Sequence, residues 1–594
     1  VRVGARLDIP PGRLEMSGGL YRSANATPDG NVPPADGAIF ISAEPLNQPA
    51  VEGTAPPPEV VGETSAAANS AIMAVGSLVS RGTGFIRNLM IGAALGNLIG
   101  NAYTTAIFLP NQVYEFLLGG VLTSVLIPVL VRRRKSDADR GEAYAQRLLT
   151  LAVLALAAAA LIAVASASSL TAIYASGKDE AYTGLITHLS WLILPMLFFT
   201  GVSALIAAVL NTRGHFAAPM WAPILNNLVV IGVFGLYILV YGAKGLQPSE
   251  MGAGRILLVG GGTLLGVAVQ TAGLLPALRK VGFRWRWRFD FRELGLRELA
   301  KLGAWMFCYV AVNQLGLFVV VNLLTRAAGE DQAGILIYNN VFLLLMMAHG
   351  IIAVSIITAL MPRMAAAAAD GRFHDVTADL SRGVRMVTAV LAPIAVCYAV
   401  LSTPISVVVF RYGAFSAENA TATSTVLLAA AIALVPFAIS QLFTFAFYAL
   451  PDTRTPALIN IPVVALRVGV QIVLFAAFAA HFAAAGMMIG NAVSYLAAAV
   501  GSAWLLRPRV GRIGLGAIMR TLGRVVVAAL GAALIGWLVI ALLPGGDKPS
   551  WIEAAIQLVV GGAVIGGTYL GLAMLLRIGE ITEVVGMVRR RLGR

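Results

Sequence analysis

The 594-residue chain has two cysteines, five histidines and only 12% charged residues. Each scarcity excludes something. Cys308 and Cys397 both lie inside apolar runs, and no CxxC or HxxxH spacing offers a metal or redox site. Both thiols read as small buried hydrophobes, and no cofactor is expected. There is no glycine-rich phosphate loop ending in Gly-Lys-Ser/Thr, no nucleophile elbow and no paired carboxylates, so neither an enzyme nor an ATP-driven pump is expected. Acidic residues are the scarcer charge, 29 against 43 basic ones, which leaves a net charge of +14. Soluble domains carry about 25% charged residues, roughly twice the density found here.

What is present is apolar. Hydrophobic residues make up 58% of the chain and the mean hydropathy is +0.81. They fall in fourteen runs, from 72–96 to 552–576, most of about 20 residues or more. Such runs suit helices crossing a hydrocarbon core of about 30 Å, and are too long for barrel strands of about 10 residues. The fold class expected is an all-α polytopic membrane protein. Residues 1–68 differ: Pro, Gly, Ala and Ser dominate there, and the segment reads as a disordered cytoplasmic tail without a secretory signal.

The basic residues reveal the orientation. With the N-terminus inside, the inner loops hold 30 Lys and Arg and the outer loops 6. This asymmetry fits the positive-inside rule, an even number of spans and two cytoplasmic termini. It also accounts for the positive net charge without nucleic acid, because the charge is spread over loops facing anionic lipid headgroups. Arg284-Trp285-Arg286-Trp287-Arg288-Phe289 interleaves aromatic and basic residues, but it leads into the amphipathic Glu293-Leu294-Gly295-Leu296-Arg297-Glu298-Leu299 directly before a span. A helix lying in the cytoplasmic interface over 284–301 is the better expectation.

An internal repeat divides the chain. Leu122 through Pro128 is echoed by Ile356 through Pro362, Asn211-Thr212-Arg213 by Asp452-Thr453-Arg454, and Leu278 through Gly282 by Arg507 through Gly511. The shared offset spans six helices, so the halves have the same orientation and are related about the membrane normal. The expected organisation is an N-lobe over 69–283, the linker over 284–301, a C-lobe over 302–510, and two further helices with a basic C-terminus over 511–594.

Four charges stand inside the spans: Arg81, Arg87, Arg467 and Glu115. Each costs about 2.5–3.5 kcal/mol at a helix centre, so each should face the bundle interior or a watery cavity. With a rise of about 1.5 Å per residue, Arg81, Glu115 and Arg467 fall near the midplane, and Arg87 about 22 Å from the inner surface. The excess of two positive charges predicts attraction for an anion, and guanidinium forks suit phosphate oxygens. Other roles stay open. Arg81 and Glu115 can pair internally and only fix packing, and Arg467 can donate to backbone carbonyls. Asn111, Asn226, Asn313 and Asn339 are candidate cavity-lining residues, each also explained by a hydrogen bond between helices.

Specific residues resemble the MurJ/MviN family of the MOP exporter superfamily. They are Ala74 through Arg81 with Gly84-Phe85-Ile86-Arg87, then Leu109-Pro110-Asn111, Gly119-Gly120-Val121-Leu122 and Pro128, Gly350 through Pro362, Phe410 through Phe415, and Phe447-Tyr448 with Asp452 through Pro456. The resemblance implies fourteen helices in two lobes around a cationic cavity, with the last two helices forming a groove for a polyprenyl tail. It implies a bacterial plasma-membrane flippase that moves lipid II, undecaprenyl-diphosphate carrying a disaccharide-pentapeptide, from the inner to the outer leaflet for peptidoglycan assembly. Arg81 and Arg87 match two arginines the family uses on the diphosphate; Arg467 is a further candidate, and Glu115 would balance Arg81 when the cavity is empty. Cell-wall synthesis or division proteins are the implied partners.

The chain departs from the family pattern at Asn101, where an acidic residue is usual, at Tyr114 and Glu115, where arginines are usual, and at Leu343. Asn101 and Tyr114 therefore join the candidate cavity lining. The wording around Asn101 and Tyr114 is similar to the high-GC Gram-positive branch, here without a C-terminal pseudokinase region. Two other readings remain: an exporter of another polyprenyl-linked saccharide or of drugs, and a non-transporting scaffold for cell-wall enzymes.

Overall fold

The computed structural model describes residues 63–119, 127–329, 332–452, 454–546 and 548–583. Most of the tail, the repeat segment around Leu122 and the last eleven residues lie outside the described residues. Every regular element described is helical. The helices before the 284–301 stretch, grouped here as the first lobe, are α1 (Glu63–Tyr114), α2 (Ile127–Ser136), α3 (Glu142–Ala165), α4 (Ala167–Tyr174), α5 (Glu180–Ile193), α6 (Met196–Thr212), α7 (Ala217–Tyr241) and α8 (Ala253–Lys280). The second contains α9 (Leu296–Ala327), α10 (Ile335–Ala369), α11 (Phe373–Val400), α12 (Ser402–Phe410), α13 (Ala417–Ala449), α14 (Arg454–Ala477) and α15 (Ala483–Val510). Two peripheral helices follow, α16 (Leu515–Leu542) and α17 (Trp551–Leu575).

Among the described residues, 12 helices are long and apolar enough to cross a membrane. α1 is not among them, and it is not one straight helix. Its backbone leaves helical geometry at Gly96, with φ 67° and ψ −168°. Arg87 and Asn111 line one cavity, although a straight helix would hold them about 36 Å apart. The chain therefore folds back at Gly96 into arms 63–95 and 97–114. Glycine is required there twice over, by the positive φ and because a Cβ would sit 2.9 Å from the Ala414 carbonyl oxygen. The helix resumes at 97 directly after the turn, where the polar side chains of Asn97 and Asn101 are satisfied by the other lobe.

The bundle has two unlike ends, one bearing the arginine-rich loops and one bearing the arginine-poor loops. At the arginine-poor end both lobes share one apolar core, joining Tyr103, Leu189 and Phe234 of the first to Val321, Val341 and Leu434 of the second. Toward the basic end the core divides. Leu148, Leu205 and Leu278 belong to a first-lobe cluster, whereas Met364, Leu380 and Phe443 belong to a separate second-lobe one. Exposed leucines such as Leu239, Leu542 and Leu575 cover the outer face, as expected where the surrounding solvent is lipid.

Hydrogen bonds between lobes gather at the arginine-poor end. Asn97 Nδ2 donates to the carbonyls of Gly329 (3.1 Å) and Gln332 (2.7 Å). Asn101 is fully buried, and its Oδ1 accepts from the Leu336 amide at 2.8 Å, satisfying a donor in the first turn of α10. The Ala414 amide donates to Ala93 O at 2.8 Å, Asn322 Nδ2 to Ile173 O at 2.6 Å, and Lys178 to Ala328 O.

The linker departs from its expected form. Between Phe283 and Asp290 there is no helix; a single 3₁₀ turn, Phe291–Leu294, precedes α9. Side chains of α3 capture this stretch. Gln146 Nε2 donates to Arg284 O at 2.7 Å, the Arg288 amide donates to Thr150 Oγ1 at 3.2 Å, and Arg147 pairs with Asp290 at 2.6 Å. Those partners compete with the i→i+4 bonds an interfacial helix would need.

Candidate functional site: a cationic cavity at the seam

Arg87 enters the bundle from the first arm of α1, and a neighbouring helix holds it in place. Its Nη1 donates to Asn227 Oδ1 on α7 at 3.2 Å, while Asn227 Nδ2 donates back to Ser80 O (3.1 Å) and Thr83 Oγ1 (3.0 Å) on the α1 arm. Both ends of the Asn227 amide are thus used, and the guanidinium is fixed against α7. The Arg87 Nε is buried without a hydrogen-bond partner. Leaving a buried charged donor unpaired costs about 1–3 kcal/mol or more, a cost that an arriving anion would remove.

The space beside it is a cavity of about 320 Å³. Both arms of α1 line it, together with α6, α7 and α8, and α10 of the second lobe contributes Leu336 and Asn339. Its polar groups include Arg87, Asn88, Asn111, Asn226, Gln270 and Asn339, and no carboxylate lines it. The Asn226 Oδ1 is also buried and unpartnered. Tyr103 and Thr263 close part of the wall with a 2.7 Å hydroxyl–hydroxyl bond. One positive charge among amides in a low-dielectric wall makes a setting for an anion carrying several acceptor oxygens.

The structure thus gathers Arg87, Asn111, Asn226 and Asn339 of the expected set, and it separates the others. Arg81 points along the seam to α10: a side chain on Gly350 would collide with its Nη1. Among the described residues no ion pair joins Arg81 to Glu115, which lies exposed at the start of a π-helical turn, Glu115–Gly119. Arg467 belongs to the second lobe. It packs against Gly316 of α9, where a Cβ would lie 2.5 Å from its Nη2, and its Nε has no partner. Asn101 is a bolt between the lobes and not a lining group, Tyr114 packs half-buried against the first-lobe core, and Asn313 sits half-buried on α9. The sequence reading missed Asn88, Thr104, Thr200 and Gln270. Asn88 directly follows Arg87, and Gln270 interrupts an apolar run; these were the available signals.

Among the described residues, no group of three or more His, Cys, Asp or Glu could hold a metal ion.

Comparison with known proteins agrees with this architecture. Residues 91–549 match the family model described as lipid II flippase MurJ. The matched stretch begins four residues after Arg87, so the setting of Arg81 and Arg87 rests on the geometry above. A lipid II flippase MurJ of Burkholderia cenocepacia is 27% identical over 404 residues, covering 65% of this chain and 74% of that protein. A probable lipid II flippase MurJ of Synechocystis is 23% identical over 470 residues, covering 78% and 86%. Among solved structures, a lipid II flippase MurJ in an inward closed conformation superposes with a TM-score of 0.67 at 17% identity, covering 88% of this chain and all of that one. An inward-facing multidrug resistance MATE transporter of the MOP superfamily superposes with a TM-score of 0.58 at 14% identity, covering 73% and 94%. At these identities the structural likenesses speak for the fold.

Proposed function

The chain belongs to the lipid II flippase MurJ family, and we propose that it carries lipid II across the plasma membrane by alternating access, with the diphosphate held at the seam by Arg87 and Arg81. The observation that carries this reading is the Arg87 cavity: a fixed guanidinium with an unpartnered Nε, amide-lined, free of carboxylate and closed on one side by α10 of the opposite lobe. An anion bound there touches both lobes, so its presence can change how they sit together.

The orientation follows from the loops. With the basic end in the cytoplasm, the shared core and the Asn97, Asn101 and Ala414 hydrogen bonds close the outer side, and the divided core lies toward the inner leaflet from which substrate arrives. Flipping then requires those outer bonds to break while the two inner cores approach. Arg81, which lies against Gly350, would follow the headgroup along the seam. The prenyl tail remains in lipid.

The test is complementation. In a bacterium depleted of its own flippase, this chain should restore externally accessible lipid II, and the Arg87→Ala form should restore at least about thirtyfold less, since removing one partner of a buried charged contact costs about 2–5 kcal/mol. Equal restoration by Arg87→Ala at equal membrane abundance would refute the cavity as the diphosphate site. No restoration by the wild-type chain would refute lipid II as its cargo.

A further inference from the structure

A second cationic pocket lies away from the seam, at the basic end, where α11, α16 and residues 577–583 meet. Its volume is about 180 Å³, and Arg385, Arg520, Arg524, Thr521 and Glu580 line it. The sequence reading counted its arginines only as loop charge. The carboxylates nearby are already engaged: Glu580, 7% exposed, pairs with Arg385 at 2.7 Å, and Glu583 pairs with Arg382. These two bridges fasten the 578–583 segment to α11, and the Arg385–Glu580 pair forms one wall of the pocket.

The opposite wall is α16. Arg520 and Arg524 are four residues apart, so they share one face of the helix, and both are exposed. Among the described residues neither meets a carboxylate; Arg524 Nη1 reaches only the Arg577 carbonyl, at 3.3 Å. Arg577 itself has φ 53°, a left-handed conformation that brings the chain back toward α16 after α17. Three guanidiniums thus face one carboxylate, leaving two positive charges over the pocket.

The surface beyond the pocket is apolar. From Arg524 to the far end of α16 at Leu542 is about 27 Å, close to a hydrocarbon thickness of about 30 Å, which sets Arg524 at the membrane boundary. Farther along, Val527, Leu530 and Leu534 are 58%, 66% and 58% exposed. A pair of arginines at the membrane boundary followed by a bare apolar strip has the polarity of a phospholipid: anionic phosphate at one end, acyl chains along the other.

We propose that the pocket between Arg385, Arg520 and Arg524 is a binding site for an anionic phospholipid of the inner leaflet, with its phosphate on the α16 arginines and its acyl chains along Val527, Leu530 and Leu534. The site is separate from the Arg87 cavity and independent of which substrate the protein carries.

Native mass spectrometry of the purified full chain, titrated with phosphatidylglycerol or phosphatidylcholine, tests it. Phosphatidylglycerol should bind tighter than phosphatidylcholine. Arg520→Gln with Arg524→Gln should weaken it roughly thirtyfold, since each basic residue near an anionic surface contributes about a factor of five. Arg520→Lys with Arg524→Lys should stay within a few fold of wild type and shows that the helix tolerates change there. Arg363→Gln, elsewhere on the basic end, should have no effect; an equal loss there would reduce the effect to general surface charge and overturn the site. Equal binding of both lipids, or undiminished binding by the glutamine pair, would also overturn it. Competition separates the sources of phosphate. Displacement by millimolar inorganic phosphate would make this a free-phosphate site, and preferential displacement by undecaprenyl diphosphate would make it a dock for the carried lipid; either result overturns the phospholipid assignment.

Discussion

The two ends of the bundle are built differently from similar helices. At the arginine-poor end the lobes share one core, and side-chain and backbone hydrogen bonds cross between them. At the basic end each lobe keeps its own core, and the charges there bind neighbouring segments on one side of the seam, as Arg147 does with Asp290 and Glu293 of the linker and Arg363 does with Asp379. One end is therefore a joint and the other a pair of independent bodies. A joint made of a few buried amides can be exchanged for another arrangement, whereas each packed lobe core moves as a unit.

Four substitutions break or sharpen this contrast. The largest effect is expected from Gly96→Leu, which forces a left-handed φ on a branched residue and drives a Cβ to 2.9 Å from Ala414 O. The strain alone is about 1–3 kcal/mol, before the clash is added. The thermal midpoint should fall, and a cysteine at Ala414 should become accessible to a membrane-impermeant maleimide; an unchanged midpoint would mean that the turn is not where the joint is set.

Asn101→Leu comes next. It removes the acceptor for the buried Leu336 amide and should cost about 1–3 kcal/mol, read as faster hydrogen exchange confined to the first turn of α10. Exchange spread evenly through both lobes would contradict a local joint. Gly350→Leu displaces Arg81 from the seam without touching Arg87. A small-to-large change of this kind costs about 1–3 kcal/mol; transport should fall while the lobe cores, followed by exchange, stay protected. Full transport would remove Arg81 from the mechanism.

The smallest effect belongs to the basic end. The hydrogen bonds Arg147 donates hold the Asp290 carboxyl below its usual range. That linkage is fully present above the ordinary aspartate pKa of about 3.9 and is lost as pH falls through the lower folded value. Arg147→Gln should therefore loosen the Trp285–Trp287 stretch at neutral pH, read by tryptophan fluorescence, and converge with wild type in acid. A difference that persists in acid would assign Arg147 another role.

Much of the fold was legible because hydropathy acts over about 20 residues and lipid tolerates few exceptions. The apolar runs from 147 onward coincide with helices, and the breaks inside them fall at Ser166, Leu194–Pro195 and Leu401. Short-range features were harder. A reversal made by one residue, Gly96, leaves no polar loop to see. The linker has an amphipathic pattern, but Gln146, Arg147 and Thr150 of α3 supply competing partners from far along the chain. In the site, Arg87 stood out because an unpaired charge in a span is costly. Asn88 and Gln270 did not, because nothing along the chain separates an amide that lines a cavity from one that makes a helix-packing bond.

The sequence by itself determined that this chain lives in a membrane, where most of its long helices lie and that its spans carry more positive than negative charge, since each follows from the cost of exposing backbone or charge to hydrocarbon. Only the tertiary structure decided which charges act together. Arg81, Arg87 and Arg467 look alike along the chain, yet one lies on Gly350 at the seam, one opens into a cavity, and one is packed against Gly316 inside the second lobe. A helix rotates its residues about 100° per step, so depth can be counted from sequence, but the partner each side chain meets depends on which helices pack beside it.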